Sequence, residues 1–99
     1  MKQYRMYVAE FIGAGTLSLA VLLSVSTELG TLATPILAAL VLGLFVYTIG
    51  GVSGCHINPA VTLGVYARGK IKLAQTVGYI VAQCLGAFAA ILIVSNTVM

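Results

Sequence analysis

Few side chains in this sequence are able to carry chemistry, and most of them sit in one stretch. Residues 53–62 read SGCHINPAVT, with the single histidine, His56, one of the two cysteines, Cys55, and an asparagine beside a proline. The two carboxylates, Glu10 and Glu28, and the other cysteine, Cys84, lie far away in the chain. This is a poor kit for catalysis. His56 has no neighbouring carboxylate, and there is no activated nucleophile, no metal cluster and no cofactor motif, so no catalytic residue and no enzyme are expected. Cys55 and Cys84 lack CxxC spacing and have only one histidine for company, which gives neither a zinc site nor a disulfide framework. No metal and no cofactor are expected.

What the stretch offers instead is hydrogen bonding. Asparagine is a favoured helix cap, and proline suits the next position because its missing N–H would be unpaired there anyway. Asn58-Pro59 therefore predicts a helix start, with a mostly apolar run to about Ala67. Nine residues at 1.5 Å each make roughly 13 Å, about half of a hydrocarbon core. The residues before Asn58, from Val52 on, read as irregular backbone.

The surroundings are apolar. The chain of 99 residues is 61% hydrophobic and 7% charged, with mean hydropathy +1.11. Soluble domains carry roughly 25% charged residues, so this is a membrane protein. Its length suits one membrane domain, residues 1–99, with spans at about 7–25, 32–51 and 73–94 and a re-entrant loop and half-helix at about 52–67. The first 25 residues have the outline of a signal peptide. The apolar run is longer than a usual signal core and carries Glu10, so it reads as a retained span. The alternative for 59–67, a capped helix lying in solvent, lacks a broad polar face. Irregular backbone at membrane depth is tolerated only where it is buried in protein or lines a wet cavity, which points to a pore or binding site.

The net charge of +3 is too small and too scattered for a nucleic-acid surface. The cations read as topology signals. Lys2 and Arg5 precede the first span, and Arg68, Lys70 and Lys72 follow the half-helix. Three spans plus a re-entrant loop put both groups on one side, which predicts a multi-pass cell-membrane protein with its N-terminus cytoplasmic and its C-terminus outside.

Ser53-Gly54-Cys55-His56 with Asn58-Pro59-Ala60 and Val61-Thr62 resembles the first signature loop of the aquaporin and aquaglyceroporin family. Ala9-Glu10-Phe11 and Ala82-Gln83 resemble that family's matching positions in the first and third spans. The resemblance runs along the whole chain in the family's order. It implies an all-α membrane fold in which three spans and one half-helix form one half of an inverted repeat. It also implies passive passage of water, and of small neutral solutes such as glycerol, with protons and ions excluded. Asn58, Pro59 and Ala60 would stand at the pore centre, where the half-helix end carries roughly +0.5 charge. Half-helix dipoles are an established barrier to protons and cations in aquaporin-type pores, and the resemblance carries that role over to this end. The carbonyls of Gly54, Cys55 and His56 would form a polar track for water. Glu10 and Gln83 would brace the loop, with the His56 ring also bracing it. A snorkelling Glu10 is the plain alternative, as it lies about one turn inside the span. Cys55, in the pore-lining stretch, is expected to be open to mercurials.

Gly78, Ala82, Gly86 and Ala90 recur every four residues, a small-residue stripe that lets helices approach closely. Two departures from the family pattern stand out. Val61 occupies the place that carries arginine in the family's second signature loop. Ala38, by counting back from Asn58, occupies the place of a bulky aromatic of the outer filter. Both leave room for solutes larger than water. One signature triplet is half of what a family pore needs. The remainder would come from the rest of a longer chain, a separate inverted half, or an antiparallel second copy, the last disfavoured by the charge bias. The alternative function is a non-conducting assembly subunit of the same fold. Expected partners are lipid, the permeant, and a second half or copy; nucleic acid is not among them.

Overall fold

The structure, a computed structural model, describes residues 3–28 and 30–97. Lys2, one of the topology cations, Leu29 of the first loop, and Val98 and Met99 of the tail lie outside the described residues. Four helices follow in order: α1 (Gln3–Ser26), α2 (Ala33–Ser53), α3 (Pro59–Ala67) and α4 (Leu73–Thr97). The architecture is an all-helical membrane fold. Three of its helices are long and apolar enough to cross a membrane. At 1.5 Å per residue even α2, with 21 residues, reaches about 32 Å, enough for a hydrocarbon core. α3, with nine residues, spans less than half of that.

Each span is longer than the sequence suggests. α1 starts four residues before Tyr7, and α4 runs on to Thr97 instead of stopping near Val94. The extension of α4 has a local cause. Ser95, Asn96 and Thr97 each turn a side-chain donor onto a carbonyl four residues back, at 2.8, 2.7 and 2.7 Å. Their polar groups are thereby satisfied on the helix itself. α2 likewise continues through Val52 and Ser53, which were expected to be irregular. The helix is ended by Gly54, whose φ of 88° is the left-handed conformation that closes a helix C-terminus. Its N–H donates to the Gly50 carbonyl at 2.9 Å.

α1 is the central helix, packed against α2 on one side and α4 on the other, and α3 packs on α4. A partly buried hydroxyl pair, Ser24 and Thr34 at 2.6 Å, ties the end of α1 to the start of α2. The approach of α1 to α4 is closest where Gly15 meets Gly86. A Cβ on Gly86 would run into the Phe11 carbonyl oxygen and come within 2.9 Å of the Gly15 nitrogen. Gly78 faces the Tyr7 ring, while Ala82 and Ala90 are buried. The small-residue stripe therefore lies along the α1–α4 seam.

The apolar surface is unevenly covered. α2 turns Leu40, Leu44, Val46 and Tyr47 outward, and α3 exposes Val61, Leu63 and Tyr66. In water such faces would be a liability; in a membrane they meet lipid or protein.

Candidate functional site

Residues 54–57, between α2 and the Asn58 cap of α3, follow an unusual path. Gly54, Cys55 and Ile57 all have positive φ, at 88°, 52° and 39°. For Cys55 and the β-branched Ile57 this is a strained backbone, costing about 1–3 kcal/mol each. Such a path persists only where its surroundings over-determine it. Here every N–H of residues 54–57 has a partner. Beyond Gly54, the Cys55 N–H donates to Ser53 Oγ at 3.1 Å. The His56 N–H donates to Glu10 Oε2 at 3.0 Å, and the Ile57 N–H to Glu10 Oε1 at 2.7 Å.

Glu10 holds the arrangement. It is fully buried, with 0% exposure, so it does not snorkel. Besides the two backbone donors it accepts from Ser53 Oγ and from Gln83 Nε2, each at 2.7 Å. Four donors surround one carboxylate and none is a cation. A carboxylate inside a membrane span needs such compensation, and charge-assisted bonds of this kind are the stronger class.

Gln83 also donates to Thr62 Oγ1 at 2.9 Å, which binds α4 to the first turn of α3. The same hydroxyl lies 2.9 Å from His56 Nδ1. Tyr79 packs on the His56 ring at 4.8 Å and gives its hydroxyl proton to the Ser53 carbonyl at 2.6 Å. One connected polar core thus joins α1, α4, the end of α2 and the start of α3.

The carbonyls of the segment are different. None of the hydrogen bonds among the described residues ends on the carbonyl of Gly54, Cys55, His56 or Ile57. The segment thus spends its donors inward and leaves its acceptors unclaimed. Asn58 follows, extended and exposed, its Oδ1 accepting from the Ala60 N–H at 2.8 Å. With the oxygen engaged in capping, the amide N–H₂ is the free end. Pro59 and Ala60 are exposed beside it.

The sequence-derived residues therefore divide. Glu10, Gln83, His56 and Gly54 meet in one place, with Asn58-Pro59-Ala60 at its edge. Ala38 does not join them. It is half-buried on α2, and the 15 residues from it to Ser53 set it about 22 Å along the helix. Cys55 is also placed otherwise than expected. Its side chain is 6% exposed and packs with Ala14 and Ile57 against Leu17, Phe45 and Ile49, because the positive φ turns it into the core. That is a shielded thiol in this chain, whereas Cys84 is exposed. Ser53, Thr62 and Tyr79 are not singled out as braces by the sequence. For Tyr79 the signal was periodic: Thr76, Tyr79 and Gln83 fall three and four residues apart and are all buried on α4. Among the described residues no three His, Cys, Asp or Glu side chains cluster as metal ligands do.

The whole sequence, residues 1–99, matches the major intrinsic protein family. The chain belongs to that family. Among similar major intrinsic proteins is the probable aquaporin PIP2-7 of Oryza sativa subsp. japonica, 63% identical over 46 residues, which are 46% of this chain and 16% of the relative. Aquaporin Z of Rhodopseudomonas palustris is 59% identical over 44 residues, 44% of this chain and 18% of the relative. The probable aquaporin PIP2-8 of Arabidopsis thaliana is 46% identical over 56 residues, 57% of this chain and 20% of the relative. The matched stretches thus cover a fifth or less of these relatives' own length.

Proposed function

We propose that this chain forms one wall of a membrane channel for passive permeation of water, and that a second wall completes the pore. The observation that carries the reading is that the N–H groups of residues 54–57 are bonded within the protein while their carbonyls have no partner among the described residues. Glu10 and its partners fix the backbone. The unclaimed carbonyls of Gly54, Cys55 and His56 then offer water a row of acceptors, and the free Asn58 amide offers it donors at the end of that row. The N-terminus of α3 adds its positive partial charge at the same point, which repels cations and hydronium. Glu10 takes no part in proton transfer, since four donors hold it and it is sealed from the surface. The chain acts as a single membrane domain, with its N-terminus cytoplasmic and its C-terminus outside.

The exposed Asn58-Pro59-Ala60 edge and the open faces of α2 and α3 are where a second half, or a second copy, would sit. Small neutral solutes such as glycerol are compatible with Val61 and Ala38, neither of which narrows a passage.

The test is osmotic shrinkage of liposomes holding this chain, alone and with a second half supplied, beside Asn58→Asp. Fast shrinkage that tolerates a proton gradient in the native chain, and leaks protons or cations in Asn58→Asp, is the expected result. A folded, inserted chain that never conducts with any second half would overturn it. That outcome would favour the other reading, a non-conducting assembly subunit, for which the exposed α2 face is the supporting observation. An assembly role would be untouched by Asn58→Asp.

A further inference from the structure

A mostly apolar groove of about 230 Å³ lies along the α1–α4 seam. No residue of α2, of α3 or of the 54–58 segment lines it, so it is separate from the faces where a second half would sit. Gly15 and Gly86 lie in it without side chains, while Phe11, Ile12 and Ile93 stand exposed at its rims.

The groove leads toward the basic end of the fold. Arg5, Val8, Ile12, Thr16 and Leu19 fall three and four residues apart, so they share one face of α1. Arg5 and Val8 are exposed on it. At 1.5 Å per residue, Arg5 stands about 10 Å before Ile12 and about 21 Å before Leu19. One leaflet contributes about 15 Å of hydrocarbon, so an acyl chain rooted beside Arg5 ends inside the groove.

Lys72 stands at the same level as Arg5. Met6 meets Gln75, and Tyr7 meets Gly78 and Tyr79, which makes the starts of α1 and α4 neighbours. Arg68 and Lys70 are exposed in the adjoining turn. Backbone bonds from the N–H groups of residues 68, 69 and 70, at 3.1, 2.9 and 3.2 Å, hold that turn against the end of α3. Tyr4 and Tyr66 are exposed at this end too, and tyrosine is enriched at headgroup level. Neither side-chain carboxylate shares it. Glu10 is buried in the polar core, and Glu28 follows the far end of α1.

We propose that the α1–α4 seam seats one anionic phospholipid, with its headgroup phosphate between Arg5 and Lys72 and one acyl chain in the groove. Uncompensated positive charge selects the headgroup, and the groove selects a lipid over a soluble anion. The seat does not depend on whether the chain conducts.

The test is paramagnetic relaxation by NMR on the whole chain in phosphatidylcholine nanodiscs. They are doped with phosphatidylglycerol spin-labelled on its acyl chain or, in parallel, with phosphatidylcholine carrying the same label. Enhanced relaxation is expected at the Gly15, Thr16 and Ala89 amides. It should be about fivefold stronger or more with the anionic lipid, roughly the factor that each engaged cation contributes. Arg5→Gln with Lys72→Gln should abolish the difference between the lipids while helicity and the rest of the amide spectrum persist. Arg5→Lys with Lys72→Arg should keep it. Ala89→Phe, which fills the groove from a half-buried wall position, should remove the enhancement at Gly15 and Thr16 for both lipids. Equal enhancement by the two lipids in the native chain would overturn the proposal. So would a preference that survives the double glutamine variant, or an enhancement unchanged in Ala89→Phe. Contacts to Gly15 or Ala89 from a differently labelled second copy would also overturn it, by assigning the groove to protein instead of lipid.

Discussion

Glu10 behaves as a hydrogen-bond hub without a counter-charge, and that defines what its replacement must do. Glu10→Gln puts an N–H₂ where an acceptor faces two donors. The loss is about 1–3 kcal/mol at the least, and the 54–57 path loses what holds its positive φ angles. A lowered unfolding midpoint in detergent, together with loss of liposome shrinkage, checks this. Thr62→Val removes two hydrogen bonds from a fully buried site and leaves Gln83 and His56 each short of a partner. A destabilisation of about 1–3 kcal/mol is expected by the same measurement. The two thiols should separate cleanly. Exposed Cys84 should react with a mercurial or maleimide in the native chain, and Cys55 only on unfolding, as mass spectrometry before and after denaturation would reveal. The direction of the Cys55 side chain was not legible in the sequence. It depends on a φ value that only the anchored backbone fixes, and cysteine is a residue from which positive φ is not anticipated.

At the level of elements, α3 was the most legible part. Asn-Pro at a helix start is a strong local signal, and the observed Pro59–Ala67 follows from it. The ends of α2 and α4 were less so. Their last turns are settled by hydrogen bonds to partners distant in sequence, as at Ser53, or by side chains folded back onto the helix, as at Ser95–Thr97. The stripe of small residues was visible, but the helix it faces was not, since periodicity names a face and not its neighbour. The Gly15–Gly86 contact gives that pairing a test. Gly86→Ala places a methyl against backbone that cannot yield. It should cost about 1–3 kcal/mol and lower the unfolding midpoint in detergent. Gly43→Ala on α2, where an added Cβ meets nothing within 4 Å, should be close to neutral.

For the molecule as a whole, the charged residues predict orientation. Arg5 and the Arg68–Lys72 turn should face the same compartment. A cysteine introduced at Lys70, in a Cys84→Ser background, should be labelled by an impermeant reagent only from the cytoplasmic side. Labelling from outside would reverse the assignment. The polar core also bears on how the chain is made. Glu10 enters the membrane with the first helix, yet its partners follow 43, 46, 47 and 73 residues later. During synthesis α1 therefore precedes everything that compensates its carboxylate. An uncompensated carboxylate inside a span opposes insertion, so Glu10 weakens the first helix's own preference for the bilayer. The burial that makes Glu10 a firm anchor in the finished protein is thus completed only by the last helix, whose Gln83 supplies the fourth donor.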